Sequence, residues 1–548
     1  MCGIICVVSR PSARPLPLAA DILDALDRAI AAGATGNIAE SGRLVGEADA
    51  SLRGESGLGT LIDNVALVTG LVSRVDQLDA LAAGAELQLE SESGLSTREV
   101  ERRSNELIAL RDATWSLRND RLRTAKAVGE LAGKDASASA RNAYLSIQQA
   151  FSALDRMEVR GRDSAGVNVL VWGHDLDATD KRVAPLLAGR LDDALFTNGS
   201  VRVGAGNRAW SFVYKAAAEI GELGDNTRAM RTTVANDALL RLLVNQPHAR
   251  VSILGHTRWA SVGIISEPNA HPVNSEEVGG NSAAPYMLAA LNGDVDNHAD
   301  IKVRNGLHIA EPITTDAKVI PTVVARKSAA GMSFVDSFRE TVAEFEGSVA
   351  IAVASADEPN SMMLALRGSG QGLYVGIAED RFIIASEPYG VVEETLHYVR
   401  MDGESLADAN NPSSRGQVIA LDGDNAGTLA GMRMLAYDGT SIALDDSNVD
   451  VAEVTTRDID RGEHKHFLSK EIAESPLSFR KTLRGKISER NGQLEATLDS
   501  TVLPDDIRAK LTAGTFTRIR VIGQGTAAIA GRSLAQLLRT MVDHRVQV

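Results

Sequence analysis

Cysteine is nearly absent from this sequence, and its two thiols, Cys2 and Cys6, both fall in the first strand-like stretch. On a strand they point to the same face, so a disulfide framework is excluded and a reducing setting, the cytoplasm, is expected. Positive charge is short as well: 57 Lys and Arg against 72 Asp and Glu leave a net charge of −15. Nucleic acid and anionic membrane surfaces need a positive footprint, so neither is expected as a partner, while small anionic ligands remain open through local sites. Long apolar runs are missing too. None approaches the roughly 18 residues of a membrane span, and the opening run has neither the basic start nor the cleavage pattern of a signal peptide. His256 and His271 have no clustered acidic partner, so no metal is expected; no cofactor is expected either.

What the sequence does have is length and an ordinary apolar share. With 548 residues, 44% of them hydrophobic, it holds enough for two or more domains. Its opening, Met1-Cys2-Gly3-Ile4-Ile5-Cys6-Val7-Val8, puts a thiol at the second residue and an apolar run directly after it. With Met1 removed, Cys2 carries a nucleophile and a free α-amine, whose unperturbed pKa of roughly 8 suits a general base near neutral pH. The plainer reading of the same residues is a small buried thiol at a fraying terminus.

Helical spacing over Ala20 to Ala32 predicts a helix ended by Gly33. From about 36 to 140 the sequence becomes charged and rich in alanine and leucine, and it reads as an inserted helical hairpin for packing or subunit contact. A helix from Arg141 to Met157 then leads into Arg160-Gly161-Arg162-Asp163-Ser164-Ala165-Gly166 and a strand from Val167 to Trp172. Residues 175–250 form a second elaboration, with helical pieces expected around Ala216 to Leu223 and Thr233 to Val244.

The richest stretch follows: a strand Val251 to Leu254, then Gly255-His256-Thr257-Arg258-Trp259-Ala260-Ser261-Val262-Gly263, Asn269-Ala270-His271-Pro272, Leu291-Asn292-Gly293-Asp294-Val295-Asp296-Asn297 and Thr314-Thr315-Asp316-Ala317-Lys318. These residues supply what a free amino acid needs. Arg258 can grip an α-carboxylate with two N–H groups, Asp316 can hold an α-ammonium, and Asn292 with the Gly293 amide can receive an oxyanion. Taken singly they also read as a surface arginine, a helix-capping aspartate and an Asn-Gly hairpin turn.

In their order these motifs resemble the class II glutamine amidotransferases, which use an N-terminal nucleophile, and within them the glutamine:fructose-6-phosphate aminotransferase branch. The resemblance implies an α+β, four-layer αββα glutaminase domain, followed by the start of an α/β sugar isomerase (SIS) domain. It implies Cys2 as nucleophile, Asn292 and Gly293 as oxyanion hole, and Arg258, Trp259, Ser261, Asp316 and Arg160 as substrate contacts. Glutamine is then the expected substrate and, if the isomerase part is completed, a sugar phosphate the expected ammonia acceptor, with a non-catalytic glutamine-sensing module as the alternative; homo-oligomers also fit. The expected domains are 1–445 for the glutaminase (insertions 36–140 and 175–250), 446–510 for a connector and 511–548 for the isomerase start.

The chain departs from that pattern at Val262, where the branch has a histidine, and at the acids of Asn292 to Asn297. Gly347 to Ser355, Leu364 to Arg367, Tyr374 to Ala378 and Phe382 to Ser386 read as a β meander. Thr517 to Gly523 reads as a buried strand before a helix from Ala527 to Met541. Gly523, Gly525 and Thr526 between them form a candidate phosphate cradle, although Gln524 and Ala527 replace two polar residues usual there.

Overall fold

The computed structural model describes the whole chain except residues 1, 93–94, 218–221, 281–283, 485, 491, 497–499, 501–502 and 543–545. The chain divides into two compact units, Met1–Ala85 with Glu106–Asp460, and Glu86–Asn105 with Arg461–Val548.

The first unit is built on two antiparallel sheets. In the nine-stranded sheet the opening strand, Gly3–Ser9, lies between Arg381–Ala385 and Arg250–Arg258; Ser164–Trp172, Ala209–Ala216 and Val201–Val203 continue on one side and Tyr374–Ile377, His397–Arg400 and Val449–Val451 on the other. The seven-stranded sheet runs Ser441–Ile442, Met432–Ala436, Gln417–Asp422, Ser361–Arg367, Val349–Ser355, Met287–Gly293 and Val273–Asn274.

Alternation decides what lies between the sheets. Ile4, Cys6 and Val8 pack with Ala350, Ala352 and Leu364 of the second sheet in one cluster. The opposite face of the same strand meets the helix Ala138–Met157, where Ile5 and Leu154 flank Gly255. A strand covered on both faces reads as a continuous apolar run, which is why no polar residue interrupts Ile4 to Val8. On the far side, the helices Val319–Ala329 and Phe334–Ala343 cover the second sheet through Ile320, Val323, Phe338 and Val342. The order is therefore helix, sheet, sheet, helix.

Several local expectations change. The first helix runs Ala19–Ala34; Gly33 is buried inside it against Leu81 and Ser41, and the left-handed residue beyond its end is Gly36, at φ 83°. The hairpin expected in 36–140 is a succession of helices, Ile38–Ser51, Gly54–Leu61, Val65–Ser91, Thr97–Trp115 and Arg123–Ala132, with a π-helical stretch Ser116–Leu122. Its charges are not all solvated. Arg121 is buried between Asp49 (3.1 Å) and Glu394 (3.0 Å), and Arg156 pairs with Glu393 at 2.5 Å. Burial and the Glu393 charge push Asp120 beside them up to about 6. In 175–250 the strands Val201–Val203 and Ala209–Ala216 extend the first sheet, and Asp237 separates the helices Asp225–Asn236 and Ala238–Val244 by capping the second through Leu239 and Leu240 N–H. Part of the expected helix at Ala216 to Leu223 lies outside the described residues.

The expected meander is split. Val349–Ser355 and Ser361–Arg367 pair in the second sheet, whereas Tyr374–Ile377 and Arg381–Ala385 pair in the first, so the chain changes sheets between them.

The second unit contains the helices Phe467–Leu483 and Thr526–Met541. Thr517 to Gly523 is not the buried strand expected: most of it is exposed, and among the described residues its bridge joins Arg518 to Gln547. A lone extended segment has no second layer to bury it. No single described helix is long and apolar enough to cross a membrane; the bent pair Gly54–Leu61 and Val65–Ser91 passes on length and composition together, but Leu58, Leu61, Leu67, Leu71 and Leu78 are buried in the protein.

Candidate active site

Cys2 precedes the opening strand and is partly exposed. Its Sγ receives the Trp259 N–H at 3.2 Å and lies 3.4 Å from the Trp259 carbonyl. Burial pushes the thiol above its usual range, against the opposing pull of the Trp259 N–H and the Arg258 charge. The thiol is therefore predominantly protonated near neutrality, and attack through it requires a base.

Trp259 is held there by Arg160 to Ser164. The Asp163 N–H donates to the Arg258 carbonyl at 3.1 Å, and Asp163 Oδ2 accepts the Ala260 N–H at 2.8 Å. Ser164 pairs with Arg258 across the sheet. Gly161 lies so close that a Cβ there would sit 2.7 Å from the Arg258 carbonyl carbon, which explains the glycine. Arg160 itself forms an ion pair with Glu387.

Arg258 is buried, not a surface residue. Its guanidinium donates to the Ile264 carbonyl at 3.1 Å and to the Val262 carbonyl. These bonds shape the loop after the strand and leave further N–H groups of the fork for a carboxylate. The Trp259 side chain is 56% exposed, so it is the backbone of this residue that meets the thiol. The Ser261 hydroxyl donates to Asp294 Oδ1 at 2.6 Å.

Asn292 and Gly293 end the strand Met287–Gly293 and do not form a hairpin turn. Asn292 is buried, with Nδ2 donating to Ser386 Oγ at 2.7 Å and Oδ1 3.0 Å from His256 Nε2. Ser386 Oγ also accepts the Ile4 N–H at 2.8 Å, which ties Asn292 to the strand that starts beside Cys2. Gly293 sits at φ 89° with the Ser348 carbonyl where a Cβ would be, so no other residue fits.

Asp316 opens the short 3-10 turn Asp316–Lys318, for which Thr315, not Asp316, is the capping position. Its Oδ2 accepts the Val295 N–H at 2.8 Å. Burial raises its carboxyl, the Val295 N–H opposes that, and the Asp294 charge adds to it. Asp294 also raises the Cys2 thiol, so this one carboxylate acts electrostatically on both. Asn269 braces the segment by accepting the Thr314 and Thr315 N–H groups at 2.7 and 2.9 Å.

The sequence singled out Cys2, Arg160, Arg258, Trp259, Ser261, Asn292, Gly293 and Asp316, and the contacts above link them in one region of the first unit. It read Asp163 as able to bond a nearby amide, as it does with the Ala260 N–H, and marked the acids of Asn292 to Asn297 as a departure, but it missed Ser386 and Asn269 as partners. Among the described residues no group of three or more His, Cys, Asp or Glu is placed to hold a metal ion. Gly523, Gly525 and Thr526 belong to the second unit, where Gly525, at φ 58°, precedes the helix Thr526–Met541.

No protein-family model matches the chain. It is 26% identical over 311 residues to the glutamine–fructose-6-phosphate aminotransferase [isomerizing] of Bacillus cereus, covering 57% of this chain and 45% of that one. The enzyme of the same name from Shouchella clausii is 28% identical over 312 residues, covering 57% and 45%, and that of Caulobacter vibrioides 25% over 336, covering 61% and 48%. The chain thus spans about half the length of the curated relatives it matches. Among solved structures, glutamine phosphoribosylpyrophosphate amidotransferase from B. subtilis, complexed with ADP and GMP, aligns at 17% identity over 53% of this chain and 47% of its own, with a TM-score of 0.33. Similarity to glutamine–fructose-6-phosphate aminotransferases over about 57% of the chain, with a thiol at the second residue beside the Arg258–Trp259 loop, fits a class II glutamine amidotransferase.

Proposed function

We propose that the first unit is an αββα N-terminal-nucleophile glutaminase that hydrolyses L-glutamine to glutamate and ammonia. The observation that carries this reading is the placement of Cys2 Sγ 3.2 Å from the Trp259 N–H, on the loop that Arg258 shapes. After removal of Met1, the Cys2 thiol gives its proton to the residue's own α-amine through water, and the thiolate attacks the side-chain amide carbon. The oxyanion is received by Asn292 and the Gly293 N–H. As the tetrahedral adduct collapses, the amide nitrogen takes the proton and leaves as ammonia; water then cleaves the thioester to give glutamate and the free thiol. Arg258 holds the α-carboxylate and Asp316 the α-ammonium, with Trp259, Ser261 and Arg160 as further contacts.

The ammonia acceptor is a sugar phosphate, by analogy with the relatives, and where a completed sugar isomerase domain supplies the remaining loops the phosphate is received around Gly523, Gly525 and Thr526. A helix N-terminus after a glycine turn supports that assignment. Domain limits of 1–445, 446–510 and 511–548, a cytoplasmic setting and self-association through the helices of 36–140 belong to the same reading. The test is release of glutamate and ammonia from glutamine by the purified chain. Glutamine binding without hydrolysis would favour a sensing module instead.

A further inference from the structure

His256 and His271 lie behind the site and take no step in the reaction proposed above. Both are buried, and their rings face each other with centroids 4.5 Å apart. Between them they hold the peptide of Leu291, the residue before Asn292. His256 Nε2 lies 2.9 Å from the Leu291 carbonyl and 3.0 Å from Asn292 Oδ1, and the Leu291 N–H donates to His271 Nδ1 at 3.4 Å.

These contacts fix both tautomers. A carbonyl only accepts, so His256 carries its proton on Nε2; its Nδ1 has no partner among the described residues and would gain nothing from a proton. A backbone N–H only donates, so His271 Nδ1 is bare and its proton sits on Nε2, which donates to Thr315 Oγ1 at 3.0 Å. Thr315 Oγ1 in turn lies 3.4 Å from Asp316 Oδ1. Burial keeps both rings neutral, His256 pushed down to about 3 and His271 well below its usual value.

The Asn292 amide can sit in either of two orientations, and only one turns Nδ2 toward a developing oxyanion. Ser386 does not choose between them, because a hydroxyl both donates and accepts. His256 does choose: with its proton locked on Nε2 by the Leu291 carbonyl, that nitrogen must face oxygen. Resting on the glutaminase reading, we infer that His256 is the positioning residue that sets the orientation of the Asn292 amide. His271 is its companion, holding the Leu291 N–H from the other side and, through Thr315, the carboxylate of Asp316.

The experiment is steady-state hydrolysis with glutamine binding measured separately. His256→Leu lowers kcat by about a hundredfold, the loss of one oxyanion donor, with glutamine affinity and the rate of Cys2 alkylation unchanged. His256→Gln, whose side-chain NH₂ reaches the Nε2 position, recovers most of that loss. Thr315→Val raises KM and leaves kcat near wild type. A folded His256→Leu with wild-type kcat, or an equal loss in His256→Gln, overturns the inference while leaving the glutaminase reading intact. Should His256→Leu not fold, nitrogen-15 spectra of wild-type histidines decide. Signals assigned to His256 and His271 that stay neutral with the proton on Nε2 support the assignment, and either of these two rings neutral and protonated on Nδ1 overturns it; His174, also buried, is told apart by the loss of its signal in His174→Gln. Wild-type protein that does not hydrolyse glutamine removes both readings together.

Discussion

The side-chain amide of Asn292 lies 2.7 Å from the hydroxyl of Ser386, whose oxygen also takes the Ile4 N–H at 2.8 Å. One hydroxyl thus links the residue proposed to receive the oxyanion to the strand that carries the nucleophile. Asn292→Ala lowers kcat by about 10²- to 10³-fold, the usual effect of removing one such donor. Ser386→Ala, which frees the amide but leaves it in place, costs roughly fivefold in kcat, since one net hydrogen bond contributes about 1 kcal/mol. Glutamate release at saturating glutamine measures both.

Fully active protein begins at Cys2. Retained Met1 converts the α-amine into a peptide nitrogen, which is not basic, so the base is lost with the thiol intact. Intact mass on an active preparation checks this, and stoichiometric Met1 there would rule the mechanism out. Cys2→Ala abolishes hydrolysis.

Arg258→Ala and Asp316→Ala act on binding. Each removes one charge-assisted contact to glutamine, worth roughly 1.5–3 kcal/mol, or about tenfold to a hundredfold in affinity. Calorimetric titration with glutamine on the Cys2→Ala background reads this without turnover. Unchanged affinity in both variants would defeat the clamp.

The Asp294 carboxylate raises the Cys2 thiol. Removing that negative charge makes the thiolate easier to form, so Asp294→Asn moves the pH profile of Cys2 alkylation to lower pH. Asparagine keeps an oxygen for the Ser261 hydroxyl, so the loop contact at 2.6 Å survives and the shift reports charge alone. The rate of reaction with iodoacetamide across pH is the measurement.

Lys215 bears on stability. It is buried, its Nζ has no hydrogen-bond partner among the described residues and lies 5.0 Å from the Phe196 ring, and burial pushes its amine down to about 7. The unfolded chain, with lysine near its ordinary value of about 10.4, binds more protons between those two values. This group's contribution therefore makes the protein more stable as pH rises from about 7 toward about 10. Lys215→Met melts higher than wild type at neutral pH, and the gap closes as the pH is raised.

Assayed by itself, this chain forms no amino sugar from glutamine and fructose 6-phosphate. A sugar-phosphate pocket in an open α/β sheet is built from loops at the ends of several strands. Gly523, Gly525 and Thr526 supply one, beside the mostly exposed segment Thr517 to Gly523. Amino sugar appearing in step with glutamate would show that the acceptor site lies elsewhere.

The sequence was most informative where one residue type serves one need. Ile4 to Val8 reads as a strand because both of its faces are covered, and the order of short motifs marks Cys2, Arg258, Asn292 and Asp316. Partners that join distant segments left no local trace: nothing near Ser386 announces that its hydroxyl meets Asn292, and Asp294 stands out only as an acid in an otherwise familiar motif, not as the partner of Ser261. Arg121 read as one more charge of the 36–140 insertion because its pairing with Glu394 crosses 273 residues. Val201–Val203 was missed because it is a three-residue edge strand, and Ala209–Ala216, paired between it and Ser164–Trp172, because Ser211 and Lys215 interrupt its apolar run.

The register of the opening strand has a consequence in time. Ile5 pairs with Gly255 on one side and with Ala385 on the other, so neither neighbour exists when the strand leaves the ribosome. At about 5–20 residues per second, roughly 20–75 s of synthesis separate Ile5 from Ala385. Until Gly255 has been made, about 13–50 s after Ile5 at that rate, the opening strand has neither partner and the amino terminus is open to the peptidase that removes methionine, so the nucleophile can be unmasked before the sheet closes around it.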